Sequence, residues 1–249
     1  MKDKIVKWIK DYFADNGSPS TKAVIGISGG KDSTVAAALC VEALGADRVI
    51  GVLMPQDEQT DIADSYKVCD LLDIQHYEIN IGDVCAMLYG AMTLENVPNM
   101  DDNKVLITNL PARIRMSVLY GIAACVGGRV CNTSNAAEVY IGYSTKWGDG
   151  VGDFGPLRDL TVAEVIEVGR KCGLPEDLLV KPPADGMSGL TDEDNLGFTY
   201  EDVAKVMRGD IKGMDLSTYA RIELRHHMSA HKQVLNMPHF KKGPTIISF

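Results

Sequence analysis

The chain has 249 residues, 45% of them apolar, 24% charged and only 6% aromatic, a length that suits one large globular domain. Its 34 acidic against 25 basic residues leave a formal charge of −9, which argues against a protein that lives on the phosphate backbone of nucleic acid. No stretch approaches the roughly 18 consecutive apolar residues of a membrane helix. The opening Met1-Lys2-Asp3-Lys4-Ile5 runs into an amphipathic pattern rather than a cleavable apolar signal, so a cytoplasmic protein without a membrane or nucleic-acid partner is expected.

Ile5, Trp8, Ile9 and Tyr12 lie near helical spacing and predict an amphipathic helix that stops at Asn16-Gly17-Ser18-Pro19. Ala23 to Ile27 is a short apolar run, followed by Ser28-Gly29-Gly30 and a helical pattern from Ser33 to Leu44 that Gly45 closes. Arg48 to Met54 reads as the next strand, Thr60 to Asp73 as a helix, Gln75 to Ile79 as a third strand and Asp83 to Met92 as another helix. A helix from Pro111 at its first position to Val126, ended by Gly127-Gly128, precedes a strand at Arg129-Val130-Cys131-Asn132. Alternating strands and helices imply a mainly parallel sheet with helices on its faces.

After Gly142 the composition shifts to a loop punctuated by Gly148, Gly150, Gly152 and Gly155, then a helix from Val162 to Cys172 closed by Gly173. Lys181 to Gly197 combines prolines, glycines and four acidic residues with few apolar anchors and reads as a mobile loop that closes over bound substrates. Helices near Tyr200–Met207 and Ser217–Met228 follow, and the tail Gly243 to Phe249 is expected to dock as an extended segment. There is no internal repeat, so residues 1–249 are expected to form a single domain. The six cysteines, Cys40, Cys69, Cys85, Cys125, Cys131 and Cys172, show no Cys-x-x-Cys and mostly sit in apolar runs. They read as reduced core thiols, and any metal is expected on oxygen ligands.

The chemistry concentrates first in Gly26-Ile27-Ser28-Gly29-Gly30-Lys31-Asp32-Ser33. Gly29 and Gly30 let the backbone approach an anion, Ser28 and Ser33 add hydroxyl donors, and the following helix offers its positive end. It is not a Walker A loop, because Ile25 stands at the first glycine position and Asp32 follows the lysine. A carboxylate beside a phosphate cradle repels the anion unless a cation lies between them, so Asp32 implies Mg²⁺.

This octapeptide resembles the pyrophosphate-binding loop of the ATP pyrophosphatases, enzymes that adenylate a substrate and release pyrophosphate. Asn109 to Met116, Cys131 to Glu138, Gly142 to Gly150, Asp153, Thr191 to Tyr200 and His231-Lys232 look, in order and spacing, like the series of the NAD synthetase family, over roughly residues 20 to 235. The resemblance implies a Rossmann-like three-layer α/β sandwich and a homodimeric, ammonia-dependent ligase. Its substrates would be nicotinic acid adenine dinucleotide (deamido-NAD), ATP and ammonia, its products NAD, AMP and pyrophosphate. It also implies residue roles. Gly26 to Ser33 and Thr133 would bind ATP, Asp32 and Glu138 would hold Mg²⁺, and Arg113, Lys146, Asp153, His231 and Lys232 would hold the dinucleotide, with no protein nucleophile. Ammonia is expected as the direct nitrogen donor, because the synthetase-like region leaves no room for a glutaminase domain. The chain departs from the family pattern at Val162, where a lysine is common, and at Ala184, where a hydroxyl residue is usual. Rival readings are a tRNA-modifying or GMP synthetase-like relative and a non-catalytic nucleotide sensor. Net charge and the absence of Cys-x-x-Cys disfavour the tRNA-modifying enzyme, and Asp32 with Glu138 disfavours the sensor.

Overall fold

The computed structural model describes residues 1–59, 61–180 and 192–233. Its centre is a four-stranded, all-parallel sheet of β1 (Lys22–Gly26), β2 (Val49–Leu53), β3 (Gln75–Glu78) and β4 (Gly128–Val130), in the order β3-β2-β1-β4. β2, Val-Ile-Gly-Val-Leu, is buried along its whole length, as a parallel strand covered on both faces requires. β3, Gln-His-Tyr-Glu, is polar and largely exposed, which fits its place at an edge. On the other side Cys131 extends β4 by a parallel bridge to Phe154.

Alternate strand residues point to the two faces. Ala23, Ile25, Val49 and Leu53 meet α1 (Lys2–Asn16), α2 (Lys31–Leu44), α3 (Ile62–Leu72) and α7 (Val162–Lys171) in the main core. Val24, Ile50, Val52 and Val130 face α5 (Lys104–Val126), which is packed in turn on α4 (Gly82–Leu94). That is the expected sandwich of helix, sheet and helix. A second apolar cluster, built by Ala137, Ile141, Leu196, Phe198, Tyr200 and Ile222 among others, joins α6 (Ala136–Ile141), α9 (Asp192–Leu196), α10 (Tyr200–Arg208) and α11 (Leu216–Gln233). A short helix, α8 (Glu176–Leu179), completes the main core. The order 3-2-1-4 reverses direction between β1 and β4, and the crevice outside that switch point is where parallel α/β sheets bind ligands.

Four expectations need correction. α1 buries Ile5, Val6, Ile9 and Phe13, while Trp8 is 44% exposed. Of the expected Ile5-Trp8-Ile9-Tyr12, Trp8 alone turns outward; Tyr12 packs on the main core, and Val6 and Phe13 complete the buried face. α5 begins at Lys104, capped by Asn103 Oδ1 accepting from Leu106 N, so Pro111 lies inside it rather than at its start. The missing proline N–H costs one helical bond, and tertiary contacts hold the first turns instead: Asn109 accepts from Thr145 Oγ1 at 2.9 Å, and Leu110 packs against Ile81 and Cys85. α6 was not expected. The stretch read as a loop from Lys181 to Gly197 includes α9, whose Leu196 is buried; residues 181–191, Ala184 among them, and the tail 243–249 lie outside the described residues.

The outward turn of Trp8 has a measurable consequence. Ile9→Ala is expected to cost about 2–5 kcal/mol of unfolding free energy, whereas Trp8→Ala costs less than about 1 kcal/mol. Equal losses in denaturant unfolding would restore Trp8 to the core.

Candidate active site

β1 ends at Gly26, and Ile27 N still bonds the carbonyl of Val52 at 2.9 Å, so the turn into α2 starts from a fixed strand end. Gly29 has φ +75°, and a Cβ there would lie 2.7 Å from Asp64 Cβ, so glycine is required for both reasons. The serine hydroxyls brace the loop: Ser28 Oγ and Ser33 Oγ lie 3.1 Å apart, Gly30 N donates to Ser28 Oγ, and Ser33 Oγ donates to the Gly30 carbonyl. What remains is a backbone cradle at the N-terminus of a 14-residue helix, the arrangement that receives a phosphate group.

Lys31 and Asp32 open that helix as an ion pair, Nζ to Oδ2 2.9 Å, with Lys31 only 7% exposed. Burial opposes the Lys31 charge, but Asp32 and Glu138 outweigh it and leave its pKa raised. Across the switch point, the turn after β4 carries Thr133, half-buried, and then Asn135, fully buried. Asn135 caps α6 in a capping box: its Oδ1 accepts from Ala137 N and Glu138 N, and Glu138 Oε2 accepts from Asn135 N at 3.0 Å. Its remaining group, Nδ2, donates to Asp32 Oδ1 at 3.3 Å. Asn135 thus joins the two loops, reaching Asp32 with its side-chain amide and the Glu138 carboxyl with its main-chain N–H.

The structure adds residues that sequence reading left unassigned. Asp192 of α9 accepts from Tyr143 OH and Tyr200 OH, each at 3.1 Å, and its charge acts on both Glu138 and Lys31. Burial, with Asp32 and Asp192 nearby, pushes Glu138 up to about 8 from 4.5, against the backbone bond to Asn135. Burial and the Glu138 and Asp192 charges hold the Tyr200 phenol far above its ordinary range. Three carboxylates and one lysine therefore converge at the strand ends.

The positions that the resemblance gives to the dinucleotide are distributed differently. Arg113 is exposed on α5 with Nε donating to the Lys146 carbonyl at 3.3 Å, Lys146 Nζ donates to the His231 carbonyl at 2.7 Å, and Lys232 Nζ donates to two carbonyls of the loop after α6. These four residues form one group across α5, that loop and the end of α11. Arg115 is separate, its Nε held by the Met54 carbonyl at 3.0 Å. Asp153 stands apart as well: its Oδ2 accepts from Val130 N at 2.7 Å and its Oδ1 from Tyr120 OH, on the outer edge of β4. It lines an open polar cleft of about 620 Å³ with Tyr12, Asn16, Thr21 and Arg129. Val162, at the usual lysine position, is the first residue of α7 and packs on the second apolar cluster, so its side chain is used for burial. Among the described residues no helix is long and apolar enough to cross a membrane.

A parallel α/β sheet with a glycine-rich cradle at its switch point has the architecture of the α/β proteins that bind nucleotide phosphates at that place. The NAD synthase family model matches residues 1–238, and the chain belongs to that family. It is 42% identical over 216 residues to the NH(3)-dependent NAD(+) synthetase of Methanococcoides burtonii, covering 85% of this chain and 80% of that one. The enzyme of the same name from Pyrococcus horikoshii is 36% identical over 246 residues, 94% of this chain and 93% of its own. Among solved structures, NMN synthetase from Francisella tularensis superposes with TM-score 0.85 at 33% identity, over 96% of this chain and 97% of that one. NH3-dependent NAD synthetase from Campylobacter jejuni superposes with TM-score 0.79 at 26% identity, over 97% of each.

The raised pKa of Glu138 sets the sign of a pH effect. Its folded value lies above its unfolded one, so the group stabilises the metal-free fold fully below about 4.5 and loses that contribution as pH rises through about 8. The unfolding free energy of wild type minus that of Glu138→Gln is therefore expected to fall across this window in chelator-treated protein. A difference that is flat or rises with pH would contradict the burial assigned to this carboxyl.

Proposed function

We propose that this protein amidates deamido-NAD with ammonia at the expense of ATP, giving NAD, AMP and pyrophosphate. The observation that carries this reading is the Asp32–Asn135–Glu138 bridge beside the phosphate cradle, in a chain that covers most of relatives named for the reaction. The family uses ATP as co-substrate. A nicotinate carboxylate oxygen attacks the α-phosphorus and pyrophosphate leaves; ammonia then attacks the carbonyl carbon, AMP leaves and a proton is released. The Gly29 and Gly30 backbone receives the departing phosphates, Thr133 lies on the facing turn, and the Arg113–Lys146–His231–Lys232 group brings cations toward an anionic dinucleotide. Asp153 is assigned to the hydroxyl groups of the dinucleotide on the family resemblance; in the free protein its oxygens accept from Val130 N and Tyr120 OH.

Asp32 and Glu138 fit Mg²⁺, since both are hard oxygen donors brought together by Asn135 without being joined to each other. An ion held by these two carboxyl groups would take its remaining ligands from phosphate oxygens and water. When bound it neutralises charge on the phosphates. The protein's own part is to keep both carboxylates aligned and Lys31 paired beside them.

The finer expectations follow the same reading. Ammonia is the donor and the chain acts as a single synthetase domain, in keeping with the relatives' names and the 80–93% of their length covered. Val84, Met87, Leu88 and Leu94 form a helical stripe on α4, and Leu94 and Met87 are 83% and 74% exposed, with Val105 and Ile107 of α5 exposed as well. A patch of this kind marks an interface, and a second copy of the chain covers it in a homodimer. A second substrate reading is favoured by one observation: NMN synthetase superposes with TM-score 0.85 at 33% identity, so the mononucleotide of nicotinic acid belongs in the assay.

Purified protein with ATP and Mg²⁺ should form NAD from deamido-NAD with ammonium and fail with ammonium-free glutamine. Faster turnover of nicotinic acid mononucleotide would move the assignment to the mononucleotide. Asp32→Ala and Glu138→Ala are each expected to lose about 10²-fold or more in turnover while remaining folded; near-normal turnover at saturating Mg²⁺ would remove that residue from the site. For assembly, Met87→Glu with Leu94→Glu should sediment as a monomer where the unaltered protein sediments as a dimer, and an unaltered dimer would place the interface elsewhere.

A further inference from the structure

The segment from Gly142 to Gly155 has no helix or strand apart from the bridge at Phe154, so its backbone groups depend on turns and side chains for partners. Its middle folds on itself: Thr145 N donates to Asp149 Oδ1 at 2.9 Å, and Gly148 N and Gly150 N both donate to the Thr145 carbonyl. Lys146 belongs to that turn and Asp153 follows it. Asn132, two residues beyond β4, meets the base of this loop. It is 4% exposed, and its Nδ2 donates to the carbonyls of Asp149 and Val151, at 2.9 and 3.2 Å. Gly152 runs against the same residue, and a Cβ there would fall 2.7 Å from Asn132 N.

The other end of the amide faces the turn that leads to α6. Asn132 Oδ1 accepts from Ser134 N at 3.2 Å, the bond with which an Asn shapes a turn two residues on, and Thr133 lies inside it. Arg158 Nη1 donates to the same oxygen at 3.4 Å. A side-chain amide offers two donors and two acceptor sites, and Asn132 has all four engaged. Its main chain is fixed as well, since Asn132 N donates to the Phe154 carbonyl at 2.8 Å. A single buried side chain therefore spans the turn of Thr133 and the loop of Lys146 and Asp153.

We infer that Asn132 is a positioning residue, which sets the loop of Lys146 and Asp153 against the Thr133 turn and so brings the dinucleotide carboxylate within reach of the α-phosphorus of ATP. It acts through the two loop carbonyls that it holds rather than by touching a substrate. A misplacement of about 1 Å between reacting groups can cost about 10²-fold in rate, so two bonds at the base of the loop bear directly on the chemistry. The inference rests on the proposed assignment of ATP to the Thr133 turn and of deamido-NAD to the loop, and the test separates the two.

Deamido-NAD and an ATP analogue that cannot be cleaved between its α and β phosphates are each titrated into the full-length protein by calorimetry, and amide hydrogen exchange is followed on the same protein. Asn132→Asp has nearly the same shape; it keeps an acceptor for Ser134 N and Arg158 and loses both donors to the loop. It should weaken deamido-NAD binding about tenfold, change affinity for the ATP analogue less than about threefold, and speed exchange over residues 145–153 alone. Equal losses for the two ligands, or faster exchange along the whole chain, would mean that Asn132 only supports the fold. Asn132→Ala removes the amide without adding charge; it decides the matter if Asn132→Asp does not fold, by the same confined exchange and the same loss of deamido-NAD affinity. Unchanged deamido-NAD affinity in the folded variants overturns the positioning role. Lys146→Ala tests the reading beneath: if it leaves deamido-NAD affinity unchanged, the assignment of the loop and the positioning role both fall. If Lys146→Ala weakens deamido-NAD binding and the Asn132 variants do not, only the positioning role is overturned.

Discussion

Two acidic side chains that disfavour each other's charge lie close at the strand ends, and Asn135 holds both, Asp32 through its side-chain amide and Glu138 through its main-chain N–H. It is fully buried, and it satisfies three demands at once: its oxygen caps α6, its own N–H takes the Glu138 carboxylate, and its amide nitrogen reaches Asp32. Hydrogen bonds to charged groups contribute about 1.5–3 kcal/mol each, a large share of the stability of any one element. The strand order brings these loops together, because β1 and β4 are neighbours at the point where the chain reverses its direction across the sheet.

The electrostatics of the cluster follow from that assembly. Asp32 keeps Lys31 as a close partner, whereas Glu138 is surrounded by carboxylates and buried surface, so its proton is held unusually tightly. Asp192 adds a third negative group and is itself oriented by two phenols. In the proposed reaction a cation would offset this excess of acceptors and, through it, admit phosphate. The second apolar cluster, which carries α9, α10 and α11, has the task of holding Asp192 and the α6 carbonyls in register with the sheet.

The parts legible in the sequence were local. The Ser-Gly-Gly-Lys-Asp-Ser loop, the apolar runs of β1 and β2 and the glycine after α2 each announce themselves within a few residues, so the sheet and the cradle could be read directly. Pro111 signals a helix start, yet α5 begins just after Asn103, which caps it, and tertiary contacts outweigh the bond lost at Pro111. α6 is too short for hydrophobic periodicity to reveal, yet Asn135-x-x-Glu138 followed by Gly142 is a capping box and a glycine stop, a signal that was present. The convergence of Asp192, Tyr143 and Tyr200 on Glu138 had no local signal, since it depends on helices far along the chain folding back over the strand ends.

The family resemblance and the geometry also distribute the cations differently from a simple list of contacts. Lys146 and Lys232 are engaged with main-chain oxygens, and Asp153 braces β4, so much of what the motifs encode is the shape of the loop between α6 and α7. The most direct measurement of the account is a crystal structure with Mg²⁺, a non-cleavable ATP analogue and deamido-NAD. The account predicts one ion touching both Asp32 and Glu138, with phosphate oxygens against the Gly29 and Gly30 backbone. An ion held by other residues, or a Glu138 turned away with Asn135 released from Asp32, would contradict it.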